Sequence, residues 1–154
     1  MTKDNVAQSS NIRMAVVVSR FNQEVTSGLL AGALAYLDEE GIKVGPGDIV
    51  EAPGAFEIPL LAQTLAATGK FDGVVCLGCV VKGETAHFEY ISEAASNGLI
   101  NASLAAGIPF GFGILATYDQ DQAIARSGEN ANNKGREAAA ACVQSIMSIR
   151  QITK

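Results

Sequence analysis

Short apolar runs alternate along the chain with longer segments in which apolar residues recur every three or four positions. Apolar, β-branched runs are typical of strands covered on both faces, and the longer period is typical of helices that pack by one side. The pattern predicts four strands, at Met14–Ser19, Asp48–Ala52, Gly73–Val81 and Ile108–Thr117. It predicts five helices, at Gln23–Glu40, Phe56–Thr68, His87–Ala106, Asp119–Ser127 and Asn133–Ile149.

Residues with special backbone preferences mark several boundaries of these elements. Asn22 is placed to cap the first helix, and Gly41 is placed to end it in a left-handed turn. Gly69 and Gly107 close two later helices, and the sequence Gly45-Pro46-Gly47 breaks the chain before the second strand.

A regular alternation of strands and helices predicts one α/β domain over residues 1–154, with a parallel sheet and helices on both of its faces. The crossovers are expected to be right-handed. In such sheets, ligands bind beyond the carboxyl ends of the strands. The segments that follow the strands are therefore the candidate ligand-binding loops: Arg20–Asn22, Pro53–Glu57, Lys82–His87 and Tyr118–Asp119.

Composition and charge narrow the class of protein. The 154 residues are 48% hydrophobic and only 18% charged, which argues against disorder and suggests surface buried between subunits. A net charge of −5 gives no basic face for nucleic acid, so no nucleic-acid partner is expected. The apolar runs are too short to span a membrane, and Met1–Ile12 does not have the pattern of a secretory signal. Three cysteines cannot all pair within one chain, which favours a reducing, cytoplasmic location.

Two motifs resemble cofactor sites only in their letters. Cys76 and Cys79, with Cys142 and His87, suggest a metal site, but residues three apart on a strand point to opposite faces. We therefore interpret these cysteines as buried packing residues and expect no metal. The sequence Gly111–Ala116 matches a dinucleotide fingerprint, yet it lies inside a strand and opens no helix, so its glycines are expected to admit a ligand or neighbour closely.

His87 is the only histidine, and it begins a helix directly beyond the strongest predicted strand. The free N–H groups at a helix start favour an anion, and an imidazole beside them can transfer protons near neutral pH. Arg126 ends a short predicted helix, and Lys134 lies in the polar turn Gly128–Gly135. Both are either solvated surface charges or phosphate ligands. Phe21 and Phe56 are either core residues or stacking platforms, and Glu57 either binds a polyol or favours a helix start.

The same loops resemble those of the lumazine synthase family, from about Arg13 to Ile149. No single segment is decisive, but their order and spacing together make coincidence very improbable. The matching segments are Ser19–Asn22, Pro53–Pro59, Lys82–Tyr90, Phe112–Leu115, Gln122–Arg126 and Asn133–Gly135.

The resemblance implies a flavodoxin-like, three-layer αβα sandwich with a four-stranded parallel sheet. It also implies an enzyme of riboflavin synthesis that joins 5-amino-6-(D-ribitylamino)uracil to 3,4-dihydroxy-2-butanone 4-phosphate, losing phosphate and water, with no cofactor. His87 is implied as the proton shuttle. The implied substrate-binding residues are Phe21, Asn22, Ala55, Phe56, Glu57, Cys79, Val80, Val81, Glu84, Thr85, Phe112, Arg126 and Lys134.

In the family, the residues equivalent to Phe112 and Arg126 come from the adjacent subunit, which implies a homopentamer for this chain. The assembly beyond the ring stays open between a free pentamer, a decamer and a 60-subunit shell. Met1–Ile12 is expected to be flexible or to contact other subunits. Two alternative functions use the same fold, namely a flavin-binding protein, which gives His87 no task, and a catalytically silent shell protein.

Overall fold

The computed structural model describes residues 11–154. Ile12 is buried in the core, and residues 1–10 of the N-terminal segment lie outside the described part. Short 3₁₀ turns occupy Pro46–Asp48 and Ala55–Glu57, on either side of the second strand. The strands are β1 Met14–Ser19, β2 Ile49–Ala52, β3 Gly73–Val81 and β4 Phe110–Thr117. The helices are α1 Gln23–Glu39, α2 Ile58–Ala67, α3 His87–Ala106, α4 Gln120–Ala125 and α5 Lys134–Ile152.

The four strands form one parallel sheet in the order β2-β1-β3-β4. Helices α1 and α5 pack on one face of this sheet, and α2 and α3 pack on the other. The predicted three-layer, flavodoxin-like α/β fold is therefore confirmed. All four strands point the same way, so their carboxyl ends meet at one edge.

Alternating side chains of the strands pack into two separate cores, one on each face of the sheet. Val16, Val75 and Leu77 face the α1 and α5 layer, whereas Val17 and Val74 face the α2 and α3 layer. Burial on both faces explains why these strands are apolar without interruption. Cys79 lies in the first core and Cys76 in the second, which confirms that this cysteine pair does not face a common site.

Several predicted boundaries need correction. Phe56 and Glu57 belong to a 3₁₀ turn, because the α-helix begins only at Ile58. The last strand begins at Phe110 rather than Ile108, and Asp119 is the N-cap of α4, where its Oδ1 accepts a hydrogen bond from the Gln122 N–H at 2.8 Å.

The predicted cap at Asn22 is wrong in its mechanism. Asn22 does precede α1, but its side chain makes no capping hydrogen bond. Its backbone carbonyl instead accepts from the N–H groups of Val25 and Thr26, both at 3.0 Å. The side chain is thereby left for contacts with other parts of the chain.

The glycines of β4 allow a close approach by neighbouring elements. A Cβ atom at Gly111 would lie 2.6 Å from the carbonyl oxygen of Ala138 in α5, and one at Gly113 would lie 2.6 Å from Leu77 Cδ2. Such distances are not compatible with any side chain at either position unless the neighbours move. These residues therefore admit packing neighbours, and not the phosphates of a dinucleotide.

Candidate functional site

Backbone hydrogen bonds hold the loops after the strands side by side. The Arg20 N–H donates to the Ala52 carbonyl at 2.8 Å, beyond the end of β1, and the Lys82 N–H donates to the Thr117 carbonyl at 2.8 Å, beyond the end of β3. Each bond extends the pairing of two neighbouring strands by one residue. The predicted binding loops consequently begin from one rigid edge of the sheet.

The end of β3 projects past β1. Its register with β1 ends at the pair Val18–Leu77, whereas its register with β4 continues to the pair Val81–Thr117. The backbone groups of Cys79–Val81 that point toward β1 thus lie outside the sheet ladder. Unpaired N–H and C=O groups of this kind can form hydrogen bonds with a planar ligand that has its own donors and acceptors along one edge.

Two aromatic side chains lie in the loops beside this open edge. Phe21 is 69% exposed and Phe56 is 60% exposed, so neither belongs to the core of the single chain. The Phe21 N–H donates to Ser19 Oγ at 3.1 Å, which restricts the turn after β1. Ala55 is buried and Glu57 is exposed, so the 3₁₀ turn presents the Glu57 carboxylate to solvent.

Asn22 has an unusual backbone conformation and an internally bonded side chain. Its φ of 61° is the only positive value outside glycine among residues 11–154. Its Nδ2 donates to Gln120 Oε1 at 3.0 Å, and its Oδ1 accepts from Gln120 Nε2 at 3.0 Å. Nδ2 also lies 3.7 Å from Cys79 Sγ. Burial raises the pKa of the Cys79 thiol to about 11, although the Asn22 contact acts in the opposite direction, so this thiol stays protonated at neutral pH.

The loop after β3 carries His87 and is exposed from Lys82 to His87. Helix α3 has no side-chain cap at its start, and the His87 N–H lies 3.4 Å from Thr85 Oγ1. The first turn of a 20-residue helix therefore directs backbone N–H groups toward solvent beside Glu84 and Thr85. This confirms that His87 begins a helix at the carboxyl edge of the sheet.

Sequence reasoning missed a group of side chains that joins the β3 and β4 loops. Lys82 Nζ lies 5.7 Å from the centre of the Tyr118 ring and 3.9 Å from the Glu89 carboxylate. Phe88 and Tyr118 have ring centres 6.2 Å apart. Lys82 lies in the loop and Glu89 in the first turn of α3, so no strand or helix period connects them. The contacts of Tyr118 depend on where β4 ends in space.

Phe112, Arg126 and Lys134 come from two other parts of the chain, the middle of β4 and the ends of the turn between α4 and α5. Phe112 is paired with Cys76, so it lies five residues before the end of β4, roughly 17 Å from the edge at ~3.3 Å per residue. It is nevertheless 58% exposed. Lys134 is the first residue of α5 and not part of the preceding turn, and its N–H donates to the Arg126 carbonyl at 2.8 Å.

The charged side chains of Arg126 and Lys134 contact their own segments. Arg126 Nη1 donates to the Gln122 carbonyl at 3.0 Å, and Lys134 Nζ pairs with the Glu137 carboxylate at 2.7 Å. Asn133, which precedes Lys134, is buried and donates to the carbonyls of Gly28 and Gly128 at 3.0 and 2.9 Å. Arg126 and Lys134 are thus displayed together from one anchored turn.

Residues 11–154 contain no cluster of three His, Cys, Asp or Glu side chains arranged to hold a metal ion. Within the same range, none of the helices has the length and apolar character needed to cross a membrane.

Fold and site together define a flavodoxin-like α/β protein with a candidate ligand-binding edge at the carboxyl ends of its strands. Comparison with known proteins identifies the family. A family profile described as 6,7-dimethyl-8-ribityllumazine synthase matches residues 11–150. The chain belongs to this family, whose members are transferase enzymes of riboflavin biosynthesis.

Individual relatives match almost end to end. The chain is similar to 6,7-dimethyl-8-ribityllumazine synthase 1 of Caulobacter vibrioides, with 59% identity covering 91% of this chain and 92% of the relative. It is similar to the 6,7-dimethyl-8-ribityllumazine synthase of Salinibacter ruber, with 50% identity covering 86% of this chain and 85% of the relative. It is 42% identical to the 6,7-dimethyl-8-ribityllumazine synthase of Nitratidesulfovibrio vulgaris, over 98% of this chain and 97% of the relative.

Proposed function

We propose that this chain condenses 5-amino-6-(D-ribitylamino)uracil with 3,4-dihydroxy-2-butanone 4-phosphate to form 6,7-dimethyl-8-ribityllumazine. The observation that carries the proposal is the open backbone edge of Cys79–Val81, which lies between the Phe21 loop and the His87 loop. A uracil ring has alternating carbonyl and N–H groups along one edge, and these complement an unpaired strand edge. The family match over residues 11–150 supports the same chemistry.

The pyrimidine substrate occupies the β1 and β2 side of this edge. Phe21 is exposed and directly precedes Asn22, whose Nδ2 lies 3.7 Å from Cys79 Sγ, and it stacks on the ring, since aromatic faces favour offset stacking. The ribityl chain extends toward Asn22 and the 3₁₀ turn of Ala55, Phe56 and Glu57, where the Glu57 carboxylate accepts hydrogen bonds from its hydroxyls.

The phosphate of the second substrate lies at the start of α3. The N–H groups beside Glu84 and Thr85 and the positive end of the helix dipole attract an anion there. The carboxylate of Glu84, in the same turn, opposes this attraction, so a further cation is needed. Arg126 supplies it, because a guanidinium can hold phosphate by two parallel hydrogen bonds.

Arg126, Phe112 and Lys134 reach this site from the adjacent subunit. Support comes from the position of Phe112, which is exposed about five residues back from the strand end and cannot close the site of its own chain. A cyclic, head-to-tail homopentamer brings these three residues to the neighbouring chain's site, because each chain then completes the site of its neighbour. Such rings can associate into a decamer or a 60-subunit shell, and we place the protein in the cytoplasm.

The reaction needs little beyond positioning. The 5-amino group of the pyrimidine attacks the ketone carbon and loses water to give an imine. The adjacent hydroxyl-bearing carbon then loses its proton to a base, phosphate leaves with its bonding electrons, and an enol forms. The enol tautomerises to a ketone, which the ribityl-bearing nitrogen attacks, and loss of a second water closes the ring. Holding the two substrates in attack geometry can supply up to ~7–11 kcal/mol, and proton transfer by His87 adds on the order of 10²–10⁴-fold.

The proposal is tested by mixing the purified protein with both substrates and following lumazine fluorescence. We expect product to form faster than in a protein-free mixture, with inorganic phosphate released in equal amount. Either substrate alone is the control. A protein that is yellow from bound flavin yet leaves both substrates unchanged would contradict the proposal and favour a flavin-binding function.

A further inference from the structure

The proposed site does not explain why the Asn22 amide is bonded to Gln120. These residues are 98 positions apart, and their amides exchange two hydrogen bonds of 3.0 Å. Strands β1 and β4 are not neighbours, because β3 lies between them. The amide pair therefore spans the end of β3, where Asn22 Nδ2 also lies 3.7 Å from Cys79 Sγ.

The pair occupies most of the hydrogen-bonding capacity of Asn22. An amide has two N–H donors and two lone pairs on its oxygen. One N–H donates to Gln120 and the amide nitrogen also contacts Cys79, while one lone pair accepts from Gln120. Only one lone pair is left for a substrate hydroxyl, so the side chain is better suited to fixing the loop than to binding a ligand.

The loop that is fixed in this way carries Phe21. Asn22 has a left-handed backbone at φ 61° and ψ 57°, a conformation that L-residues other than glycine adopt infrequently and that contacts with the surroundings stabilise. The amide pair supplies that support on one side, and the bond from the Phe21 N–H to Ser19 Oγ supplies it on the other.

We propose that Gln120 is a positioning residue of the synthase: its amide pair with Asn22 fixes the β1 loop so that Phe21 faces the open edge of β3. The expected kinetic effect of Gln120 rests on the proposed function. The expected effect of Gln120 on the β1 loop rests on the structure alone. Gln120 lies at the start of α4, in the same chain as Phe21, so the Asn22–Gln120 pair acts within one subunit.

The main test is Gln120→Met, which keeps the side-chain length and removes both hydrogen bonds. We expect the KM for the ribitylaminouracil substrate to rise roughly 5- to 20-fold, as for the loss of two neutral hydrogen bonds, with the KM for the butanone phosphate unchanged. Gln144→Met, at an exposed position of α5, is the matched control and should change neither constant. A rise in the butanone phosphate KM alone would show that Gln120 supports the Arg126 side of α4, and would overturn the proposal.

A double-variant comparison shows whether Gln120 acts through Asn22. Asn22→Gly removes the side chain while glycine tolerates the left-handed backbone. If the two residues act as a pair, the double variant should have the same KM as the more impaired single variant. Multiplicative effects of the two substitutions would contradict the pairing.

Hydrogen exchange separates this proposal from the proposed function, because it needs no substrate. In Gln120→Met, backbone amides of residues 20–26 should exchange faster than in the wild type, while those of β3 stay protected. Unchanged exchange would refute the positioning role of Gln120 even if the enzyme is active. If the wild type forms no lumazine, the proposed function is refuted, and the exchange result still decides whether the Asn22–Gln120 pair fixes the β1 loop.

Discussion

His87→Ala should slow lumazine formation by about 10- to 1,000-fold without abolishing it. His87 is the first residue of α3, beside the proposed phosphate-binding turn. Its imidazole can transfer protons there during imine formation and phosphate loss. Substrate positioning by the strand edge stays intact in the variant, so most of the acceleration survives. Steady-state kinetics with both substrates should show the loss in kcat, with small changes in both KM values.

Two controls make the His87 result interpretable. Binding of the pyrimidine substrate, measured by calorimetry, should be nearly unchanged, and the assembled size should match the wild type. A folded variant that binds substrate but gives no detectable turnover would show that His87 does more than transfer protons.

Arg126→Ala should raise the KM for the butanone phosphate by roughly 10- to 150-fold, as expected for a lost charge-assisted hydrogen bond to phosphate. The guanidinium is exposed and donates to the Gln122 carbonyl at 3.0 Å, and its further N–H groups are directed to an anion in this prediction. The pyrimidine KM should change much less. Initial rates measured while one substrate is varied at a saturating level of the other give the two constants separately.

Arg13→Ala is the matched control, because Arg13 is an exposed arginine that precedes β1, at the opposite edge of the sheet, and pairs with Asp72. It should leave both KM values unchanged. Equal weakening of both substrates by Arg126→Ala would mean that Arg126 is a structural cation.

The strands could be predicted because burial on both faces requires continuous apolar residues, as in Gly73–Val81. Helix ends were less predictable, because capping residues have competing uses. Asn22 illustrates this point, since it has the right identity for an N-cap but uses its side chain to bind Gln120. Likewise, the helical period at Phe56 and Glu57 does not distinguish a 3₁₀ turn from the first turn of α2.

The candidate site was partly predictable for a related reason. Parallel topology alone places the loops after β1, β2 and β3 at one edge, so the sequence pattern is enough to group Phe21, Glu57 and His87. Gln120 could not be found in this way, because its partner is 98 positions away and no spacing rule connects them. The position of Phe112 five residues before the strand end, by contrast, follows from the predicted strand Ile108–Thr117, whose end at Thr117 the structure confirms.

The central claim is that one catalytic site is built from two chains, and mixed assemblies test it most directly. With the butanone phosphate kept below its wild-type KM, His87→Ala chains and Arg126→Ala chains should each have low activity alone. When they are unfolded together and reassembled, roughly a quarter of interfaces combine an intact His87 with a neighbour's intact Arg126, because each chain is chosen about one time in two.

Lumazine formation by the mixed rings should therefore rise toward about a quarter of the wild-type rate, although no wild-type chain is present. Reassembled wild-type chains set the full scale, and each variant reassembled alone sets the baseline. A site contained within one chain gives no such gain, since every chain carries one defect. Mixed rings no more active than the mean of the two variants would contradict the shared site.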